Sequence, residues 1–251
     1  MVPFYLCIAG LIYLFEYVLL VLFESYEYFP GVFRDDYFNN ILGANISNGF
    51  IVPSVTVFIS VYNLGFWWII LIIIGFVGIE ELFMYLGVYH HNWWKTVYTS
   101  GGLLLIFFLG KYIWRLIRYH SNQFTLRVAV LYFVNVVTQG TFMFYLVAIF
   151  HLFLFQVSWF DDPSRGHIAF VTLYFFIDSV FYSLMVVSKI KWFYQALFII
   201  GLTCVNVLLQ QIGILKVSGN WVIALITFLQ LGELFLLINL RNLLFNNMLT
   251  R

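Results

Sequence analysis

Glu80 and Glu81 stand side by side in the apolar run from Gly78 to Gly87, and His90, His91, Trp93, Trp94 and Lys95 follow at once. A carboxylate carried into hydrocarbon must be protonated, paired or bound to a cation, because an isolated charge there costs at least about 2.5–3.5 kcal/mol. Glu16, Asp178 and Glu233 also lie within apolar runs, so the chain carries acidic side chains at five buried positions. Glu81, Tyr85 and Tyr89 share one helical stripe at spacings i, i+4 and i+8, whereas Glu80 points about 100° away. At most one of the two glutamates can therefore face the same cavity squarely, and Tyr85 and Tyr89 are expected to line its entrance. The residue types predict a cation- or ligand-binding set: Glu80 or Glu81 as the principal charge, Glu16 and Asp178 as partners, and Asn206 and Gln139 as neutral ligands. A metal set is the alternative. Adjacent histidines on a helix point apart, so His90 or His91 would have to join His167 or the Asp161-Asp162 pair to hold one ion.

These residues belong to a chain of 251 residues that is 63% hydrophobic, 22% aromatic and 9% charged. Soluble domains carry about 25% charged residues, and no soluble core hides this much apolar surface. The composition predicts an all-α, polytopic integral membrane bundle. Net charge is +1, which gives no footing for nucleic acid. Cys7 and Cys204 form no CxxC and read as packing residues. The first residues lack a basic n-region, so no signal peptide is expected there.

Hydropathy predicts eight spans, approximately 3–23, 49–64, 66–89, 97–118, 124–154, 168–188, 192–214 and 220–244, within a single transmembrane domain. The second is short and contains Pro53. If it were re-entrant, seven spans would remain and the N-terminus would move outside. With eight spans and a cytoplasmic N-terminus, Lys111, Arg115, Arg118, Arg127, Lys189, Lys191, Arg241 and Arg251 fall on the inner side. Arg34, Lys95, Arg165 and Lys216 fall on the outer side. That distribution satisfies the positive-inside rule, and all eight tryptophans fall near span ends. Both termini are accordingly expected inside. Lys111, Arg115 and Arg118 share a helical face suited to inner-leaflet phosphates. Six acids (Glu24, Glu27, Asp35, Asp36, Asp161 and Asp162) lie in outer loops, and no acid lies in an inner one. By helical rise, Glu16, Glu80, Glu81, Asp178 and Asn206 sit about 10–15 Å from the outer span ends. If their spans surround one cavity, its outer half is acidic. Asn45-Ile46-Ser47 matches a glycosylation sequon on the outer side. No internal repeat is apparent.

Segment 78–99 resembles the signature of an uncharacterised family of small polytopic membrane proteins from Firmicutes: a glutamate-bearing span, then a Trp-rich outer turn leading to Tyr-Thr. The matching residues are Glu80, Glu81, Tyr89, His91, Trp93, Trp94, Lys95, Tyr98 and Thr99. The resemblance implies a class and no mechanism. The stretch from Glu80 to Gly87 is also similar, less completely, to the Glu-Glu-x-x-x-Arg motif of CAAX-type membrane proteases, with Tyr85 at the arginine position and no Phe-x-x-x-His later.

Walker A, G-x-S-x-G and H-E-x-x-H motifs are absent. The leading expectation is a cell-membrane protein whose outward-facing acidic cavity binds a cation, proton or small polar ligand for transport or sensing. A metal-dependent intramembrane hydrolase and a non-catalytic scaffold or accessory subunit are the alternatives. The expected partner is the lipid bilayer; no cofactor or protein partner is specified.

Overall fold

A computed structural model describes residues 1–120 and 122–246. Eight helices are long and apolar enough to cross a membrane. They are α1 (Val2–Leu22), α2 (Asp36–Val61), α3 (Phe66–Tyr85), α4 (Thr96–His120), α5 (Phe124–Phe150), α6 (Pro163–Val187), α7 (Trp192–Gln211) and α8 (Trp221–Asn246). Four short strands interrupt them: β1 (Tyr26–Tyr28), β2 (Tyr89–His91), β3 (Phe153–Phe155) and β4 (Leu215–Val217). The chain divides into two compact units, Met1–Ser121 and Asn122–Arg251.

Each unit has the same order: helix, strand, two helices, strand, helix. In the first, β1 pairs antiparallel with β2, Glu27 opposite His90. In the second, β3 pairs antiparallel with β4, Leu154 opposite Lys216. The flanking bonds repeat as well. Phe29 N–H donates to Val88 O and Asn92 N–H to Ser25 O, while Gln156 N–H donates to Ile214 O and Ser218 N–H to Leu152 O. Left-handed residues end corresponding helices in pairs: Glu24 and His151, Asn63 and Lys189, Gly87 and Gly213. Two of these pairs combine different side chains, so the repeat is one of backbone conformation. At Gly87 the end is a Schellman motif, with Gly87 N–H on Met84 O and Val88 N–H on Phe83 O.

The N-terminus of the second helix repeats in the same way. Asp35 accepts from Phe38 N–H at 2.8 Å, and Asp162 accepts from Ser164 N–H at 2.8 Å. Such N-caps satisfy otherwise orphaned amides. Five positions past each cap, a side chain takes the N–H of the preceding strand's last residue: Asn40 Oδ1 from Tyr28, and His167 Nδ1 from Phe155, each at 2.9 Å. From Asp35 to Asn63 the chain is one residue longer than from Asp162 to Lys189. A π-helical turn at Asn45–Ile51 absorbs the extra residue.

The second span thus begins at Asp36, well before the expected 49. Asn39, Asn40, Asn45 and Gly43 gave that stretch the look of a loop, yet the helix buries the three asparagines. Asn45 of the sequon lies inside α2, 6% exposed, and is not presented for glycosylation. The third span ends at Tyr85 rather than 89, because Tyr89 belongs to β2.

Packing within the units also corresponds. α2 lies between α1 and α4, while α3 packs on α4 and β2; α6 packs on α5 and α8, while α7 packs on α8 and β4. α3 and α7 leave most of their apolar surface uncovered, as Trp67, Trp68, Leu71, Ile74, Phe193, Leu197 and Ile200 illustrate. Helices apolar all round suit a hydrocarbon surround. At the end away from the strands, Lys111 Nζ donates to Leu64 O at 2.8 Å and Arg241 Nη1 to Val186 O at 2.8 Å. Val186 lies in the last turn of α6, where the helix dipole favours a cation, and Leu64 lies in the connection between α2 and α3.

The His167 interaction yields a stability prediction. Leucine there orphans a buried N–H and is expected to cost about 1–3 kcal/mol. Asparagine, the residue at the matching site, is expected to retain most of the stability. Thermal unfolding of His167→Leu and His167→Asn in detergent checks both.

Candidate functional site

In the first unit, α1, α2 and α3 stand around a cavity of about 480 Å³ floored by α4 and roofed by the paired strands β1 and β2. α4 lines it from Thr99 to Leu109, about 15 Å of helical rise. The deep part is apolar, with Ile12, Val52, Phe76, Ile106 and Leu109. Lining residues Phe15, Ile46, Ile51, Ile79 and Phe83 are also exposed on the outside of the unit, so the cavity opens sideways between helices.

The strand end is polar. Glu80 is 8% exposed; its Oε1 lies 2.7 Å from His91 Nε2 and accepts from Thr99 Oγ1 at 3.1 Å. Trp94 Nε1 donates to Thr99 Oγ1 at 2.8 Å, which fixes the hydroxyl's direction. Glu80 Oε2 is buried and has no partner. Glu16, also on the cavity wall, receives the Tyr26 hydroxyl at 2.7 Å from both carboxylate oxygens. Tyr26, Tyr28, Tyr89 and Trp94 form a contiguous ring cluster, with Tyr28 and Tyr89 centroids 4.8 Å apart and Tyr26 5.7 Å from Trp94. Gly43 makes room for it: a Cβ there would lie 2.3 Å from Tyr28 Cβ. The polar end thus brings two carboxyl groups to one imidazole.

Burial, with the Glu16 charge adding to it, holds the Tyr26, Tyr28 and Tyr89 phenols well above the ordinary value of 10.0. They remain O–H donors throughout the physiological range. An unfolded chain releases phenol protons near pH 10 and the folded unit releases these later, so their contribution to stability is complete below about pH 10 and falls as pH rises beyond it. Alkaline titration followed by phenolate absorbance is expected to show these three ionising last, with unfolding.

Of the residues singled out from sequence, Glu16, Glu80 and Tyr89 come together at this cavity. Glu81 is exposed, with Thr96 Oγ1 3.3 Å from its Oε1, and Tyr85 is 87% exposed; neither lines the cavity. Asp178 and Gln139 meet inside the second unit, Gln139 Nε2 donating to Asp178 Oδ2 at 3.2 Å. Asn206 is buried on α7 with its Nδ2 unpartnered. Glu80 and Asn206 correspond in the two repeats, each standing seven residues before its left-handed glycine.

The proposed metal ligands are spread over separate roles. His91 pairs with Glu80, His90 is exposed on β2, His167 is a buried acceptor, and Asp162 is a helix cap beside exposed Asp161. Among the described residues, no three His, Cys, Asp or Glu side chains are grouped so as to hold a metal ion. Sequence reasoning passed over Tyr26, Tyr28 and Thr99, which complete the polar end. The alternation Tyr26-Glu27-Tyr28 was the available signal. No family model, curated protein or solved structure matches the chain.

Proposed function

We propose that the chain is a multi-pass protein of the cell membrane, crossing it eight times with both termini cytoplasmic, and that its N-terminal unit binds an amphiphile with a cationic head and an apolar tail, for transport or sensing. The eight apolar helices, the excess of Lys and Arg on one side and the tryptophans at span ends support the topology. In that orientation the paired strands and the nearby carboxylates lie toward the outer leaflet. The observation that carries the ligand reading is Glu80 Oε2: a buried carboxylate oxygen, unpartnered, at the polar end of a sideways-opening apolar cavity. A buried acceptor without a donor is costly, and an ammonium head supplies both charge and protons.

The volume falls within the range of about 300–1,000 Å³ common to small-molecule sites. Aromatic rings beside the carboxylates offer a cation further stabilisation. The test is saturable binding to protein in nanodiscs of a long-chain primary amine, compared with a fatty acid and a fatty alcohol of equal chain length. The amine is expected to bind tightest; equal binding of all three would reduce the site to a packing defect.

A further inference from the structure

The second unit lacks counterparts of the two carboxylates: α5 carries no acidic residue to match Glu16, and Asn206 stands where Glu80 is. It has a different polar centre, formed where α5, α6 and α8 pack together. Asn135, Gln139, Asp178, Ser179 and Gln230 are each 3% exposed or less. Asn135 Nδ2 donates to Ser179 Oγ at 2.9 Å, and the Ser179 hydroxyl stands 3.5 Å from Asp178 Oδ1. Gln139 Nε2 reaches Asp178 Oδ2 at 3.2 Å. Asn135 therefore reaches Asp178 through Ser179, and Gln139 reaches it directly.

Three amide oxygens are left over. Asn135 Oδ1, Gln139 Oε1 and Gln230 Oε1 are buried and unpartnered. Rotating an amide does not help, since it would orphan the NH₂ instead. Asn135 and Gln139 lie one turn apart on α5. On α8, the backbone carbonyl of Gln230 accepts the hydroxyl of Tyr182, one turn beyond Asp178, at 3.2 Å. The neighbouring acid, Glu233, is occupied by the Thr138 hydroxyl. No Lys, Arg or His pairs with Asp178 among the described residues.

We propose that this centre is a binding site for one dehydrated alkali cation, with Asp178 supplying the charge and Asn135, Gln139 and Gln230 supplying neutral oxygens. The donor set consists of hard oxygens, which suit hard cations and not the metals that favour thiolate or imidazole. Its charge selects among them. One carboxylate neutralises a monovalent ion and would leave a divalent ion with an uncompensated charge inside the bundle. The site shares no residue with the carboxylate cavity of the first unit, so it stands or falls separately from the ligand proposed there.

The test uses the full-length protein in detergent, with sodium as the probe. Tracer sodium binding is expected to saturate at one ion per chain. Thermal unfolding is expected to rise with sodium at constant ionic strength set by choline, as ligand linkage requires. Potassium and lithium report size preference; a response to any of the three above choline supports the site. Asp178→Asn is expected to abolish both effects. Asn135→Ala and Gln139→Ala are expected to weaken sodium binding by about tenfold or more, and they decide the matter if Asp178→Asn does not fold. Identical unfolding in sodium, potassium, lithium and choline, without bound tracer, would overturn the proposal. So would a sodium response that survives unchanged in the folded variants.

Discussion

Glu80→Gln is expected to weaken binding of a long-chain amine by between about ten- and a hundredfold, the equivalent of the roughly 1.5–3 kcal/mol attached to a hydrogen bond with a charged group. The substitution keeps the shape of the side chain and one acceptor oxygen for His91 and Thr99, while removing the charge that Oε2 presents to the cavity. Binding of a fatty alcohol of the same length should change little, because its head is neutral. Glu81→Gln is the internal control. Its side chain has the same chemistry one residue away, but it is exposed and outside the cavity, so amine affinity should stay within a factor of about two, as surface changes usually allow. If both glutamines weaken binding equally, the residual effect is a general surface charge and the cavity is not the site.

The second large effect is expected at Gly43. Alanine there puts a methyl 2.3 Å from Tyr28 Cβ and 2.5 Å from Tyr28 Cγ. These atoms are next to the β1 backbone, so relief requires moving the strand rather than swinging the tip of a side chain. Overpacking of this kind costs about 1–3 kcal/mol, occasionally more. The displaced Tyr28 ring would also disturb Tyr89, 4.8 Å away, and with it the polar roof of the cavity. Gly43→Ala should therefore lower the unfolding temperature and weaken amine binding together. The corresponding residue of the second unit, Phe170, packs its ring at 5.0 Å from Phe155, so Phe170→Leu should leave amine binding unchanged. A Gly43→Ala protein of undiminished stability would mean that β1 does not rest on α2 as described.

The eight helices were legible because each is a long apolar run, and length with hydropathy is a direct physical requirement of crossing a bilayer. Glu16, Glu80 and Asp178 were legible as oddities for the same reason. Their grouping was not. Helical rise gives a depth along the bundle and says nothing about which neighbour a side chain meets, so Glu16, Asp178 and Asn206 looked like members of one set. Glu16 and Glu80 in fact share a cavity inside the first unit, while Asp178 joins Gln139 and Ser179 inside the second. The spacing left Glu80 and Glu81 as alternatives, and the stripe drawn through Glu81, Tyr85 and Tyr89 fails at its last member. The helix stops at Tyr85, and Tyr89 reaches the cavity from a strand.

Short strands of three residues carry too little alternation to be read. The repeat was hidden more deeply. It is written in backbone angles and hydrogen-bond roles, which unlike residues fill equally well: Glu24 and His151 both adopt the left-handed conformation, and Asn40 and His167 both accept a strand amide. A π-helical turn then shifts the register of α2 by one residue, which breaks any simple alignment of the halves. The repeat clarifies why the polar chemistry differs between units. Similar scaffolds hold carboxyl groups near the paired strands in one and an amide-lined acid within the helices in the other.

The most direct measurement is photo-cross-linking of the purified protein in nanodiscs with a long-chain amine carrying a diazirine near its head, followed by peptide mapping. Labelling is expected on residues that line the cavity, centred on Tyr26, Tyr28, Tyr89 and Trp94. It should be displaced by unlabelled amine and strongly reduced in Glu80→Gln. Adducts scattered over the outward faces of α3 and α7, insensitive both to competitor and to Glu80→Gln, would contradict a ligand site in the N-terminal unit.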